Sequence, residues 1–166
     1  HPKVKMETTL GDIVVELDPA RAPKTVENFL SYTRKGTYDG TIFHRVIENF
    51  MIQGGGYTET YAPKPTDSPV PIESSNGLKN IRGTVAMART NDPNSATAQF
   101  FINVVDNAFL DFVPGGNPGY TVFGQVASGM DVVDRIRKIP TGEGPAPFTS
   151  DVPTTMVVIT RVVKEQ

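Results

Sequence analysis

The chain has 166 residues, with sixteen Lys and Arg against eighteen Asp and Glu and a formal net charge of −2; its basic residues are scattered rather than gathered into a stripe that would neutralise successive phosphates, which argues against nucleic acid as a partner. The absence of cysteine rules out a disulfide framework, thiolate chemistry and a Cys-ligated metal site, and no apolar run reaches the roughly 18 residues of a membrane-spanning helix. Apolar residues at 38% and charged residues at 20% suit one hydrophobic core in water, so residues 1–166 are read as a single domain, with fifteen glycines and fourteen prolines marking many turns.

Val4 and Met6, then Ile13 to Leu17, read as two strands joined near Leu10-Gly11-Asp12, an antiparallel opening hairpin. Pro23 suits an early helical position, where its missing N–H costs nothing. From there Val26, Phe29, Leu30 and Thr33 recur at three- and four-residue spacing until Lys35-Gly36, giving a first amphipathic helix. Thr41 to Val46 is a strand candidate, followed by the mostly apolar Phe50-Met51-Ile52 and by Gly54-Gly55-Gly56. The polar segment from Tyr57 to Gly83, with Pro63, Pro65, Pro69 and Pro71, is a surface excursion. Thr84–Ala88, Phe100–Val104 and Thr121–Val126 are three further strands. Met130, Val133, Ile136 and Ile139 mark a second helix, stopped by the Pro-rich stretch 140–153. Met156–Val163 is a terminal strand that closes against the opening hairpin. Short strands on this spacing with two helices fit a barrel with plugged ends, since closure removes unpaired sheet edges.

The chain begins at His1 rather than Met, with no signal-like segment. That start points to an exported mature form, hence the periplasm, with the cytoplasm as the alternative.

Familiar catalytic patterns are missing. Gly54-Gly55-Gly56 lacks the Lys-Ser/Thr ending of a phosphate loop, and His1 and His44 are too few for an all-histidine metal site. Ser95 or Ser128 with His44 has no nucleophile-elbow motif around it. Taken singly, Arg45 would be a surface ion-pair partner, Gln53 and Gln99 rim groups, Phe50, Met51, Phe101, Phe109 and Leu110 packing residues, and His44 a structural residue facing away from its strand neighbour.

The run Phe43-His44-Arg45-Val46-Ile47-Glu48-Asn49-Phe50-Met51-Ile52-Gln53-Gly54-Gly55 changes that reading, because it closely resembles the signature of the cyclophilin family. The resemblance continues through Arg82–Arg89, Ser95–Ile102 and Val122–Val126 and covers essentially the whole chain; Ala86-Met87-Ala88-Arg89-Thr90 and Asp106–Leu110 are similar to the bacterial branch. It implies a closed eight-stranded antiparallel β-barrel with two capping helices, dominated by β structure, and peptidyl-prolyl cis/trans isomerase activity on proline-containing peptides and on unfolded or partly folded proteins. No cofactor is implied, and a monomer is expected. Arg45 corresponds to the catalytic arginine, with Gln53 beside it. Phe50 and Met51 match substrate-contacting positions, Ala88 and Arg89 the segment that pairs with substrate backbone, with Gln99 alongside, and Phe101 and Leu110 the walls of the proline pocket. Phe109 stands where many eukaryotic members have tryptophan, so cyclosporin binding is expected to be weak. Tyr120 stands where they have histidine, Arg89 where asparagine is common, and Gly56 where aspartate is common.

No proton need move in such a reaction. Rotation about an X-Pro bond makes the prolyl nitrogen pyramidal and more basic, so a fixed donor such as the Arg45 guanidinium would favour the twisted state over either planar one. A binding or chaperone module that retains proline-containing loops without turnover is the alternative.

Overall fold

The computed structural model describes residues 1–165. Strands β1 (Lys3–Thr8) and β2 (Gly11–Leu17) form the expected antiparallel hairpin, with Thr8 opposite Gly11. Gly11 takes φ +129°, a conformation that L side chains rarely adopt. Val4, Met6, Ile13, Val15 and Leu17 alternate inward and are fully buried. The last strand of the main sheet, β11 (Val158–Glu165), lies antiparallel to β1, as its apolar run suggests.

Helix α1 (Pro23–Arg34) starts with Pro23 in the first helical position and buries Val26, Phe29, Leu30 and Thr33, the face read from their spacing, together with Thr25 and Tyr32. No side chain at its N-cap position satisfies the free N–H groups of the first turn. Glu73, from the 57–83 excursion, does so instead. Its carboxylate accepts from the Thr25 N–H at 2.7 Å, the Thr25 hydroxyl at 2.6 Å and the Lys24 N–H at 3.2 Å, placing negative charge at the positive end of the helix dipole. The excursion is thereby tied to the body of the fold. Helix α2 (Met130–Arg137) buries Val132, Val133 and Ile136. The Pro-rich stretch that ends it holds a small antiparallel pair not visible in the sequence, β9 (Thr141–Gly142) with β10 (Val152–Pro153).

The expected closed eight-stranded barrel is not what forms. With β3 (Thr41–Ile42), β4 (Arg45–Ile47), β5 (Met51–Gly54), β6 (Thr84–Met87), β7 (Phe100–Asn103) and β8 (Val122–Ser128), the described residues make an open nine-stranded half-barrel in the order β3-β11-β1-β2-β8-β6-β7-β5-β4. The reason lies in the segment read as one strand, Thr41–Val46. It divides at Phe43-His44: β3 pairs with β11 and β4 with β5, and no ladder joins the two ends. Loop backbone occupies the remaining edges. Ile42 donates to the Tyr57 carbonyl at 3.0 Å, Phe43 to Val157 at 3.2 Å and Val46 to Asp151 at 2.8 Å, so the edges are covered without closure.

Register then sorts the side chains of one patch of sheet onto two faces. Val46, Ile52, Ile102 and Val85 lie opposite one another across β4, β5, β7 and β6 and enter the main core with Phe29, Tyr38, Phe100 and Phe123. One residue out of phase, Arg45, Gln53, Phe101, Ala86 and Val122 form a second cross-strand row on the opposite face.

Candidate active site

On that outer face a second, smaller apolar cluster forms from Met51, Ala86, Phe101, Leu110 and Val122, with Phe50, Ala88 and Tyr120 packed at its margin. A sheet face that carries both an apolar cluster and a row ending in an exposed arginine is a binding surface in outline. It bounds a cavity of about 130 Å³ lined by Arg45, Phe50, Met51, Gln53, Ala88, Arg89, Phe101, Leu110 and Tyr120. Nine of the eleven positions singled out in the sequence therefore meet here, from segments spread between residues 45 and 120.

Met51, Phe101 and Leu110 form the buried floor, at 1%, 4% and 7% exposure, while Arg45 is exposed at the mouth. The Arg45 guanidinium is aimed by its neighbour. Arg45 and Gln53 are direct partners across the β4–β5 ladder, and Arg45 Nη1 donates to Gln53 Oε1 at 3.2 Å. Gln53 Nε2 in turn donates to Gln99 Oε1 at 2.9 Å, so one amide orients the arginine and a second orients the first. Gln99 lies outside the cavity of Arg45. It lines an adjoining cavity of about 170 Å³ together with Gln53, Ala88, Arg89, Thr90, Ser95 and Thr97.

Phe109 is the other position outside the cavity. It sits in the 3-10 turn Ala108–Leu110, points to solvent at 66% exposure and stacks on Phe50 with ring centroids 5.5 Å apart. It extends the apolar rim rather than the floor.

Three supporting residues escape a reading by motif. Asn80, Asn103 and Asn107 are buried at 1%, 0% and 3% exposure. Asn107 Nδ2 donates to the Phe50 carbonyl at 2.9 Å and to Asn103 Oδ1 at 2.8 Å, and Asn103 Nδ2 donates to Asn80 Oδ1 at 3.1 Å. With Asn80 Nδ2 donating to the Leu110 carbonyl at 3.2 Å, this amide chain ties together the two turns that present Phe50 and Leu110. The signal available in the sequence is an asparagine ending the apolar run Phe100-Phe101-Ile102, because a polar group in a buried strand requires partners.

His44 lies outside the cavity lining, as alternation suggests. It is 6% exposed, with its ring edge-on to Tyr57 at 4.8 Å and to Phe148 at 6.1 Å. Its Nδ1 has no hydrogen-bond partner among the described residues. Burial, and secondarily the positive charge of Arg45, lowers its pKa from 6.5 to about 4, so the imidazole is neutral around pH 7.

Residues 3–164 match the cyclophilin type peptidyl-prolyl cis-trans isomerase/CLD family. The chain is 58% identical over 159 residues to the peptidyl-prolyl cis-trans isomerase cyp18 of Streptomyces antibioticus, covering 94% of each protein. It is 53% identical over 161 residues to peptidyl-prolyl cis-trans isomerase B of Escherichia coli, covering 96% of this chain and 97% of that protein. Among solved structures, a cyclophilin type peptidyl-prolyl cis-trans isomerase of Cryptosporidium parvum, crystallised in the presence of the dipeptide Ala-Pro, superposes with a TM-score of 0.79 at 27% identity over 99% of both chains. With the Arg45 row, the apolar floor and these relatives in agreement, the chain belongs to the cyclophilin-type peptidyl-prolyl cis-trans isomerases.

Proposed function

We propose that the Arg45 cavity accelerates rotation of X-Pro peptide bonds by stabilising the twisted amide without covalent attack. The barrier to be lowered is about 18–20 kcal/mol, set by donation of the nitrogen lone pair into the carbonyl. When the bond twists, that lone pair localises on the prolyl nitrogen, and a guanidinium donor gains more from the twisted state than from either planar one. The observation that carries this reading is Arg45 held at 3.2 Å by Gln53 beside an apolar floor of Met51, Phe101 and Leu110. In this arrangement the floor grips the proline ring, the carbonyl before it turns, and the arginine meets the nitrogen as its basicity rises. An acceleration of about five decades corresponds to roughly 7 kcal/mol of preferential stabilisation, which several positioned contacts in a partly dehydrated cavity can supply.

The chain's substrates are then proline-containing peptides and protein segments. The test compares exchange rates of a short X-Pro peptide with wild type and Arg45→Ala at equal folded concentration. Acceleration by wild type and its loss in the variant support catalysis by this site. Peptide retention that survives the substitution, with no acceleration by either protein, would make the groove a binding module instead.

Weak cyclosporin binding belongs to the same proposal. Phe109 offers an aromatic surface but no N–H donor at the rim, and nanomolar inhibition of the wild type in a direct titration would reject this part.

A further inference from the structure

Arg89 and Tyr120 stand at two of the positions where the sequence departs from the family's pattern, and in the fold they meet. The Arg89 guanidinium lies 4.4 Å from the centroid of the Tyr120 ring. Its Nε and Nη2 both donate to the Gly119 carbonyl, at 3.1 and 2.8 Å, and its Nη1 donates to the Thr90 carbonyl at 2.8 Å. Tyr120 also packs edge-on against Phe101 at 5.7 Å, and its N–H donates to the Leu110 carbonyl at 3.0 Å. The ring thus touches both a cation and the cavity floor.

The need for these contacts follows from the chain around Tyr120. Residues 111–120 form no helix or strand and include Gly115, Gly116 and Gly119, glycines that give the loop additional conformational entropy to lose. Gly119 is itself in the left-handed region at φ +71°, where a Cβ would lie 2.6 Å from the Phe112 nitrogen. A fork of two N–H groups on its carbonyl and a flat cation over the adjacent ring fix this loop to the segment that follows β6. Lysine cannot reproduce the fork, and asparagine cannot reach the ring.

We infer that Arg89 is a positioning residue for the isomerase reaction, which holds Tyr120 in place as a wall of the proline cavity through a guanidinium stack and a double hydrogen bond to Gly119. This rests on the functional reading above. Because the wall grips the proline ring in planar and twisted states alike, loosening it weakens binding more than it slows turnover.

The experiment measures kcat and KM on an X-Pro peptide for wild type, Arg89→Lys, Arg89→Asn, Tyr120→Ala and the double variant Arg89→Asn/Tyr120→Ala, with urea midpoints to verify folding. Arg89→Asn raises KM by roughly three- to tenfold, with kcat within about twofold of wild type. Arg89→Lys, which keeps the charge over the ring, recovers part of that loss. In the Tyr120→Ala background the Arg89→Asn change alters KM by less than about twofold, because the group it acts through is gone. A folded Arg89→Asn with KM within twofold of wild type overturns the inference, and so does an equal effect in both backgrounds. If Arg45→Ala abolishes activity while Arg89→Asn is neutral, this inference alone falls; if wild type shows no acceleration, the functional reading falls and takes this one with it.

Discussion

Arg45 and Gln53 are neighbours twice over, as a register pair on β4 and β5 and through a 3.2 Å bond from guanidinium to amide oxygen. Because its acceptor is a neutral amide, the bond orients the guanidinium without cancelling its charge. Gln53→Glu would convert it into an ion pair that neutralises the donor and turns a carboxylate oxygen toward Gln99 Oε1. The expected result is a fall in kcat of roughly tenfold or more with the fold retained, measured by peptide exchange. An unchanged kcat would show that the Gln53 amide does not govern the arginine.

Removal of the guanidinium itself is the larger loss. Arg45 is exposed and its side chain contributes nothing to the core, so Arg45→Ala should keep the urea midpoint while kcat/KM falls by about two to three decades.

Gly56 lies against Gln99. A Cβ at 56 would come within 2.5 Å of Gln99 Cγ and 2.6 Å of Nε2, closer than real atoms approach, but the obstacle is a side chain that can rotate. Gly56→Ala is therefore expected to move Gln99 away from Gln53, lowering kcat by roughly threefold with a stability change within about 1 kcal/mol. Gly55→Ala behaves differently. There φ is +89° and the new carbon would meet Phe100 and Tyr38 ring atoms at 2.8 and 2.9 Å, so a loss of more than about 2 kcal/mol in denaturant unfolding is expected.

His44 links pH to stability rather than to catalysis. Its folded pKa of about 4 lies below the ordinary 6.5. Above pH 6.5 the imidazole is neutral in both states and its contribution is complete. As pH falls through 6.5 toward 4 the unfolded chain takes up the proton first, so the folded state loses up to about 3 kcal/mol over this window. Carboxylates shared by both proteins cancel in the comparison with His44→Gln, whose stability should decline less between pH 6.5 and 4 in urea titrations. Activity across neutrality should not follow this group, and a step in kcat near pH 6.5 that disappears in His44→Gln would contradict the assignment.

Glu73 is a test of the excursion. Glu73→Ala removes the acceptor for the first turn of α1 and should cost about 1–2 kcal/mol, or roughly 2–8 °C in Tm for a chain of this size, with kcat preserved because no cavity residue is touched.

The parts of this protein legible from residues alone are those governed by local period and local chemistry. The alternation of Val4 and Met6 with Ile13, Val15 and Leu17 and the helical spacing of Val26, Phe29 and Leu30 each carry their meaning within a few residues, and the structure places them accordingly. Which ends of the sheet would meet was a different kind of question. The break at Phe43-His44 arises because Val157 and Asp151, more than a hundred residues away, compete for the N–H groups of Phe43 and Val46, and no pattern within 41–46 records that competition. The cap on α1 from Glu73, the amide chain of Asn80, Asn103 and Asn107, and the stack of Arg89 on Tyr120 are likewise products of the tertiary structure. Each joins groups about twenty or more residues apart in at least one of its links, and side-chain chemistry at that range is decided by where the backbone has been brought, not by sequence neighbours.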